Sequence, residues 1–401
     1  MSNEMSYDRS SDWSNDWINP IVREIPPSGI RAFLGAADEQ VISLAVGEPD
    51  FVTPRPVIEA CIAALNRGAT GYTPNAGLLE LREEIARYLQ ARFGLDYDPA
   101  NEIFVTVGSS EAVDLALRTM LRPGDEVIVP TPSYIAYSPI AQLHGGKVIE
   151  VQTSADEEFK LRAQDLRRHL TPRSKVLILN YPNNPTGAVM TREDLAPIAE
   201  LAIAHNLIVI SDEVYAELSY GQRHDSIASL PGMKERTLVI SGFSKAFAMT
   251  GWRVGYVCGN AELIAAMLKI HQYTAMCAPM MGQVAAIAAL RGGLGEMEEM
   301  IRSYDQRRKW LVTALRDIGL SCHEPAGAFY VFPSIASMGL SSQEFAQRLL
   351  KEAGVAAVPG HVFGAGGEGY IRCSYAAGMS QLQEAVERIE RFVRLPLLQS
   401  S

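Results

Sequence analysis

The sequence predicts an α/β protein that combines a large domain with a smaller, discontinuous α+β domain. The large domain is expected to hold a mostly parallel sheet with helices on both faces. Two observations support this fold class. Short runs rich in Val and Ile, without polar alternation, recur through the middle of the 401-residue chain, as is typical of strands buried on both faces. Near residue 290 the pattern changes, and a long charged helix opens the C-terminal part.

Four segments are expected along the chain. Residues 1–18 are rich in Ser, Asn and Asp, which predicts a flexible tail. Residues 19–46 form an N-terminal arm and part of the small domain; three prolines predict that the arm starts extended, and a helix is expected to start within residues 29–37. Residues 47–290 form the large domain, and residues 291–401 complete the small one.

Caps and periodicity predict the elements of the large domain. Thr53 is a good N-cap and Pro54 suits the first helical position, so a helix is expected to about Arg67. Apolar residues at helical spacing predict the next helix at residues 78–93. The other predicted elements are strands at residues 103–107, 126–129, 147–151, 176–179, 207–210, 238–240 and 254–258, and helices at residues 111–121, 135–143 and 192–205.

The C-terminal part contains two patterns that resemble a capping box. Ser341 and Glu344 predict the start of a helix that runs to residue 353, and Ser380 and Gln383 predict the start of the final helix. The other elements expected there are a helix at residues 296–318 and strands at residues 328–332, 355–358 and 370–375.

The bulk composition excludes several classes of function. A formal net charge of −10 and a pI of about 5.3 argue against nucleic acid and anionic membrane surfaces as partners. The five cysteines are scattered without a C-x-x-C or zinc spacing, so free thiols and no metal site are expected. No run is apolar and long enough to span a bilayer, and the polar N-terminus is unlike a secretory signal. We therefore expect a cytoplasmic protein.

Polar loops follow several predicted strands, at the sheet edge where ligands bind in open parallel sheets. Ser109 and Ser110 open a helix after one strand, which suits a phosphate, although an ordinary N-cap is the commoner meaning of one such loop. Asn184 lies in a rigid turn between two prolines. Asp212 ends a buried strand, where a carboxylate needs a cation or a donor, or caps a helix; Tyr215 follows it closely.

The segment of residues 241–256 (SGFSKAFAMTGWRVGY) holds one lysine, Lys245, among small, aromatic and apolar residues. Desolvation lowers the pKa of an amine, and a neutral amine forms a Schiff base with an aldehyde. A surface lysine is an equally good interpretation of this segment alone. Together, however, the loops supply a phosphate cup, a fixed amide, a carboxylate, a phenol, this amine and the guanidinium of Arg253. Pyridoxal 5′-phosphate would use all of these groups.

In these motifs the chain resembles the class I/II pyridoxal-phosphate-dependent aminotransferases of fold type I, from about residue 19 to residue 394. Within that family it is most similar to bacterial aminotransferase A-type enzymes, on residues 25–30 and 271–277. The motifs that carry the family resemblance are residues 46–51 (VGEPDF), 72–77 (YTPNAG), 108–112 (GSSEA), 183–187 (NNPTG), 211–215 (SDEVY), 241–256, 327–330 (GAFY) and 370–375 (YIRCSY).

The resemblance implies roles for the residues at the ring of the cofactor. Lys245 would bind the cofactor aldehyde and move the substrate proton. Asp212 would pair with the pyridinium nitrogen, and Tyr215 and Asn184 would hydrogen-bond the phenolic oxygen. Tyr134 would stack on the ring.

The resemblance also implies roles at the phosphate. Ser109, Ser110, Ser244 and Arg253 would hold it. Many relatives carry a hydroxyl residue three positions before the lysine, where this chain has Gly242, so part of the phosphate grip differs and Ser241 is an open candidate to replace it.

Two further roles concern the neighbouring subunit and the substrate. Tyr72 would reach the phosphate of the partner, which implies a homodimer with shared active sites. Arg372 would bind the substrate α-carboxylate in bidentate fashion, helped by Asn184 and the Gly47 backbone. Without the resemblance, Arg372 would be interpreted as a salt-bridged arginine at a strand end.

The implied reaction is the transfer of an amino group from an L-amino acid to a 2-oxo acid, 2-oxoglutarate, by a ping-pong mechanism. A β-lyase on the same fold and a non-catalytic regulator are the alternatives. A nicotinamide-dependent dehydrogenase is set aside because no G-x-G-x-x-G follows the first strand. The donor is open among N-acetyl-diaminopimelate, aromatic and dicarboxylic amino acids.

Overall fold

The structure is a computed structural model that describes residues 17–30 and 41–399, with side chains to residue 394. The predicted tail falls almost wholly outside these residues, as does most of the helix expected within residues 29–37. The arm begins with a short helix, α1 (Pro20–Glu24), and continues to a two-residue strand, β1 (Ile42–Ser43). The extended start predicted for the arm is therefore wrong, because Asn19 caps the helix and Pro20 occupies its first turn, where proline is tolerated.

The middle of the chain alternates helices and strands as the sequence predicts. The helices are α2 (Arg55–Asn66), α3 (Leu79–Phe93), α4 (Gly108–Met120), α5 (Tyr137–Leu143), α6 (Ala163–His169), α7 (Arg192–Ala204), α8 (Ala261–Thr274) and α9 (Met280–Gly292). The strands are β2 (Ile103–Thr106), β3 (Glu126–Thr131), β4 (Lys147–Gln152), β5 (Ser174–Asn180), β6 (Ile208–Asp212), β7 (Thr237–Gly242) and β8 (Gly255–Cys258). Three of these helices, α6, α8 and α9, have no counterpart among the sequence-based predictions.

These seven strands form one sheet in the order β2-β8-β7-β6-β5-β3-β4. Strand β8 runs antiparallel to both of its neighbours, and every other pair is parallel, so the prediction of a mostly parallel sheet is confirmed. Strands β2, β3 and β8 are buried along their whole length. Burial on both faces explains why their sequences lack polar alternation.

The register of the sheet brings the polar loops to one edge. Asn180, the last residue of β5, pairs with Asp212, the last residue of β6. Asp212 in turn pairs with Ile240, just before the segment that carries Lys245. The loops that the sequence singles out therefore meet at the carboxyl ends of neighbouring strands.

The C-terminal part begins with α10 (Leu294–Asp317) and contains short strands and two helices. They are β9 (Tyr330–Val331), α11 (Ser342–Ala353), β10 (Val355–Ala356), β11 (Val358–Pro359), β12 (Ile371–Ser374) and α12 (Met379–Gln399). Strands β11, β12 and β9 form an antiparallel sheet. Strand β1 pairs in parallel with β10, so the N-terminal segment joins the C-terminal part. The domain boundaries at residues 46 and 290 stay predictions.

Two of the predicted helix caps are wrong and one is confirmed. Thr53 does not cap α2, because its hydroxyl donates to the Ala248 carbonyl oxygen and Pro54 is the N-cap. Ser380 lies inside α12, which begins at Met379. Ser341 caps α11, where its hydroxyl accepts from the backbone N–H of Glu344.

None of the helices in the described part of the chain combines the length and the apolar character that crossing a membrane requires. The five cysteines are free thiols, and four of them are buried.

Candidate active site

A cavity of about 540 Å³ opens at the carboxyl ends of the sheet strands. It is lined by every predicted site residue except Tyr72. These residues are Gly47, Ser109, Ser110, Tyr134, Asn184, Asp212, Tyr215, Ser244, Lys245, Arg253 and Arg372. Ser28 and Ile30 from the N-terminal arm, Glu48 and Tyr330 contribute further walls. The fold therefore brings together residues from segments far apart in the sequence.

Lys245 points into the cavity from the turn that follows β7. Its Nζ donates to the carbonyl oxygen of Gly47 at 2.6 Å and lies 5.9 Å from the ring centre of Tyr215 and 5.7 Å from that of Phe329. Burial lowers the pKa of Lys245 to about 8, although the Glu48 carboxylate acts in the opposite direction. A lysine with such a pKa supplies a substantial fraction of neutral amine near neutral pH, which an unperturbed lysine does not.

Gly242, which departs from the family pattern, is fixed by close packing between β7 and β8. A Cβ atom on Gly242 would lie 3.1 Å from Gly255 Cα and 3.2 Å from the Val254 carbonyl oxygen, so a hydroxyl side chain would require the neighbouring backbone to shift by a few tenths of an ångström. Ser241 does not replace it, because its hydroxyl donates to the carbonyl oxygen of Glu213 and it lies outside the cavity lining.

Asp212 is buried at the base of the cavity. Its Oδ2 accepts a hydrogen bond of 2.6 Å from the hydroxyl of Tyr137, and its Oδ1 accepts one of 3.3 Å from the Val214 N–H. Burial raises the pKa of Asp212 to about 6, while the bond from Tyr137 acts to lower it. Burial also raises the pKa of Tyr137 well above its ordinary value, so Tyr137 keeps its proton and donates. Asp212 is therefore an anion at neutral pH, held in one orientation.

Asn184 and Tyr215 are held by residues around the cavity. The backbone N–H of Asn184 donates to Asn180 Oδ1 at 3.1 Å, and Asn180 Nδ2 donates to the Asp212 carbonyl oxygen at 3.3 Å. The hydroxyl of Tyr215 is 2.8 Å from that of Tyr330. These contacts fix an amide and a phenol beside the carboxylate.

Arg372 is 2% exposed and lies between the rings of Tyr330 and Phe363, with its guanidinium carbon 4.4 Å and 5.1 Å from the two ring centres. Its Nη1 donates to Asn184 Oδ1 at 2.9 Å and its Nη2 to the Ala45 carbonyl oxygen at 2.7 Å. It makes no ion pair with a carboxylate in residues 17–30 and 41–394, and its buried Nε has no hydrogen-bond partner there. A buried guanidinium without a counter-charge is costly, so an anionic ligand would stabilise it.

Ser109, Ser110 and Arg253 surround the opposite end of the cavity. A Cβ atom on Gly108 would lie 2.5 Å from Arg253 Nη2, and one on Gly255 would lie 2.6 Å from the Ser109 nitrogen. Arg253 has a left-handed φ of 52°, and its Nη1 donates to the Thr250 carbonyl oxygen at 2.8 Å. Glycines at these two positions therefore let the first turn of α4 approach the guanidinium closely.

Sequence reasoning missed two residues of the site. The sequence gives no role to Tyr137, although its hydroxyl makes the short hydrogen bond to Asp212. Tyr330 lies in the motif of residues 327–330, which assigns it no role, although it contacts both Tyr215 and Arg372. Its place in that motif is the one signal for Tyr330, whereas no feature of the sequence distinguishes Tyr137 from other core tyrosines.

Tyr72 is 82% exposed and does not line the cavity of its own chain. The segment that carries it is tied to the end of α8, because Asn75 Nδ2 donates to the Met276 carbonyl oxygen at 2.7 Å. Its predicted role lies in the neighbouring subunit.

Comparison with known proteins identifies the family. The profile described as "Aminotransferase class I and II" matches residues 39–389. The Bacillus subtilis (strain 168) protein named "Putative aminotransferase YugH" is 56% identical over 374 residues, which cover 93% of this chain and 97% of the relative. An aspartate aminotransferase of Pyrococcus abyssi is 46% identical over 375 residues, which cover 92% and 96%.

A solved structure gives the same result. The aromatic aminotransferase from Pyrococcus horikoshii OT3 superposes with a TM-score of 0.88 at 46% identity, and the match covers 92% of this chain and 100% of that one. The chain belongs to the class I and II aminotransferases and is a pyridoxal-phosphate-dependent aminotransferase that acts on amino acid and 2-oxo acid substrates.

Proposed function

We propose that the cavity at the carboxyl ends of the strands is the transaminase active site and that Lys245, Asp212 and Tyr215 act at its centre. The observation that carries this proposal is the meeting in one cavity of a lysine with a lowered pKa, a buried carboxylate and two arginines. We also propose 2-oxoglutarate as the acceptor.

The residues of the cavity fit pyridoxal 5′-phosphate. A volume of about 540 Å³ is in the ordinary range of ligand sites. Asp212 supplies an anion for the ring nitrogen, Lys245 an amine for the aldehyde, and Arg253 with Ser109 and Ser110 a cationic, hydroxylated end for the phosphate. Asn184 and Tyr215 can donate to the phenolic oxygen, and Tyr134 can stack on the ring. Ser244 lies next to Lys245 and completes the phosphate end.

When bound, the cofactor supplies an electron sink conjugated to the substrate α-carbon. Lys245 would take the proton from that carbon on its Nζ and deliver it to the former aldehyde carbon of the cofactor, on the other side of the amino nitrogen. Asp212 would stay ionised and favour the protonated form of the ring nitrogen. Arg372 binds the substrate carboxylate, with Asn184 and the Gly47 backbone beside it. The rings of Tyr215 and Phe329 near Lys245 would limit the access of water to the proton transfer.

Exchange of Arg372 for lysine should raise KM for donor and acceptor alike by about 100-fold, because a point charge cannot replace the two parallel N–H groups that bind a carboxylate. Cofactor affinity should change far less than KM, since Arg372 is assigned to the substrate and would reach the cofactor only through its hydrogen bond to Asn184. Steady-state kinetics and a cofactor titration measure the two effects. Arg308→Lys is the matched control, because Arg308 is also buried but pairs with Asp305 and Glu324 outside the cavity. An unchanged KM for Arg372→Lys would contradict the assignment.

The pKa of Lys245 predicts a pH dependence for cofactor capture. The rate at which apo-protein binds the cofactor covalently should rise as pH increases through about 8, because only the neutral amine attacks an aldehyde. Glu48→Gln should move the midpoint to lower pH, since the Glu48 carboxylate favours the protonated amine. Stopped-flow absorbance between pH 6 and 10 gives the profile, and Glu59→Gln at an exposed position is the control. A midpoint that does not move would exclude this role of Glu48.

We propose that the protein is a homodimer in which each subunit contributes Tyr72 to the site of the other. Tyr72 is exposed away from its own cavity, and Val52, Tyr273 and Met276 are exposed apolar residues that support an interface. In mixtures of Tyr72→Ala with Lys245→Ala subunits, a hybrid dimer should recover activity, because one of its two sites then has neither defect. Mixtures with no more activity than the separate variants would refute shared sites.

The donor amino acid is best identified with a panel. The relatives are named for aspartate and for aromatic amino acids, and these two classes need different side-chain contacts. Each candidate donor is mixed with the protein alone, and the loss of the cofactor absorption band gives a rate for the first half-reaction. Release of ammonia without a 2-oxo acid would instead favour a β-lyase.

We also propose that the enzyme is located in the cytoplasm. The free cysteines support this proposal, because free thiols are typical of a reducing compartment.

A further inference from the structure

Behind the phosphate end of the cavity, a buried histidine pairs with a partly buried glutamate, and the proposed reaction uses neither side chain. His271 in the last turn of α8 is fully buried, and its Nδ1 is 2.9 Å from Glu111 Oε1. Glu111 lies in the first turn of α4, directly after Ser109 and Ser110. Since an ionised carboxylate only accepts hydrogen bonds, His271 Nδ1 is the donor.

The other carboxylate oxygen of Glu111 binds the backbone just before Ser109 and Ser110. Glu111 Oε2 accepts from the Val107 N–H at 2.5 Å. The next residue, Gly108, has a φ of +74° and approaches Arg253, so it is here that the chain turns from β2 into α4. One carboxylate thus joins this turn to α8.

Within the part of the chain that the structure describes, the imidazole of His271 has a single hydrogen-bonding partner, Glu111. Its Nε2 is buried and has no hydrogen-bond partner in residues 17–30 and 41–394, and its ring packs at 5.5 Å from that of Phe104 in β2. Such a histidine costs desolvation energy, and the bond to Glu111 is what offsets it. His271 lies in the segment of residues 271–277 that carries the subgroup resemblance, and the reaction leaves it unexplained.

We propose that Glu111 and His271 are positioning residues that hold the turn at Val107 and Gly108 so that Ser109, Ser110 and Arg253 meet the cofactor phosphate. This inference rests on the proposed assignment of those three residues to the phosphate. Neither member of the pair contacts the cofactor; both act through the backbone of the turn.

If Glu111 acts through its charge, its removal should change cofactor affinity in one direction; if it acts by positioning the turn, its removal should change affinity in the opposite direction. Glu111 is an anion next to a site for a phosphate dianion, so its removal should tighten cofactor binding if charge alone mattered. If it positions the turn, its removal weakens binding. The dissociation constants of pyridoxal 5′-phosphate and of pyridoxal, which lacks the phosphate, separate a phosphate-end effect from a general one.

Four variants of the pair test the proposal with apo-protein of the full chain. Glu111→Ala should weaken binding of pyridoxal 5′-phosphate by about 10-fold, the effect of losing hydrogen bonds to a charged group, and His271→Leu should weaken it less. Pyridoxal should bind each variant as it binds the unmodified protein. Glu111→Gln and His271→Asn keep a bonding atom near each position, so both should restore most of the affinity.

Asp114 and His144 are a matched control pair. Asp114 lies three residues after Glu111 on α4, His144 follows the end of α5, and their side chains are 2.7 Å apart. Asp114→Ala and His144→Leu should leave both dissociation constants unchanged. Arg253→Gln tests the assignment of Arg253 to the phosphate, because this variant should bind pyridoxal 5′-phosphate more weakly but pyridoxal equally well.

The outcomes are distinct. If Arg253→Gln selectively weakens binding of pyridoxal 5′-phosphate and Glu111→Ala does not, the positioning proposal is overturned. The assignment of Arg253 to the phosphate then still stands. Equal weakening of both ligands by Glu111→Ala would also overturn it, since that result describes a general loss of structure. No selective effect of Arg253→Gln would overturn the phosphate assignment itself. Should His271→Leu fail to fold, Glu111→Ala and the two conservative variants decide alone.

Discussion

Lys245→Ala should lower the turnover number by about 10⁴-fold or more, because the variant loses both the amine that binds the cofactor covalently and the base that moves the substrate proton. The fold should be retained. Within the cavity Lys245 makes one hydrogen bond, to the Gly47 carbonyl oxygen, and its burial is itself a cost that alanine removes.

The measurement is the rate of the first half-reaction with a large excess of donor, followed by the cofactor absorption band. Lys234→Ala is the matched control, because Lys234 is the partner of Glu102 at the protein surface, away from the cavity. Turnover of Lys245→Ala at the rate of the unmodified protein would show that another group does the chemistry. Loss of the covalent cofactor link with normal circular dichroism would support the assignment.

Asp212→Asn should stabilise the apo-protein at pH 8 while it lowers turnover by about 10³-fold. The pKa of Asp212 is raised in the folded state to about 6 from an ordinary 3.8, so its contribution to stability is full below pH 3.8 and is lost as pH rises through 6. At pH 8 the ionised carboxylate then costs about 3 kcal/mol relative to a neutral group. Asparagine avoids this cost but can accept from only one of Tyr137 and Val214, so a net gain of about 1–2 kcal/mol is expected.

Denaturant unfolding of the apo-protein at pH 8 and pH 5 measures the free energy of unfolding and its change with pH. The gain of Asp212→Asn should shrink at pH 5, where the native carboxyl is largely protonated. Asp305→Asn should instead lower the free energy of unfolding at pH 8. Burial acts to raise the pKa of Asp305, but hydrogen bonds from Lys309 and Arg308 hold it below its ordinary value. A loss of stability at pH 8 with Asp212→Asn would mean that its hydrogen bonds outweigh its desolvation.

The sheet and its polar edge could be predicted from the sequence because both depend on local patterns. Buried strands need continuous Val and Ile, and their carboxyl ends must be followed by loops. Once the strands are placed, parallel pairing brings Asn180 beside Asp212. This neighbourhood can be predicted without detailed knowledge of side-chain packing. The residues that the family resemblance adds line the same cavity, apart from Tyr72.

Side-chain roles that depend on residues far apart in the sequence could not be predicted. Thr53 has the chemistry of an N-cap, yet its hydroxyl donates to Ala248 and accepts from the Trp252 indole, both far away in sequence. Tyr137 and Tyr134 are close in sequence and chemically alike, and only the packing of α5 decides that Tyr137 reaches Asp212. Such contacts follow from the folded arrangement and leave no periodic trace in the chain.

The pairing of the N-terminal segment with the C-terminal part has a consequence for biosynthesis. Leu44 lies between two strands of the last quarter of the chain, since its N–H donates to Ala356 and its carbonyl oxygen accepts from Ser374. Arg372 likewise needs the Ala45 carbonyl oxygen. A ribosome delivers the segment that carries Lys245 well before it delivers Arg372. The contact between Arg372 and the Ala45 carbonyl oxygen can therefore form only after most of the last quarter of the chain has been synthesised, so the site for the substrate carboxylate is the last part of the cavity to be completed.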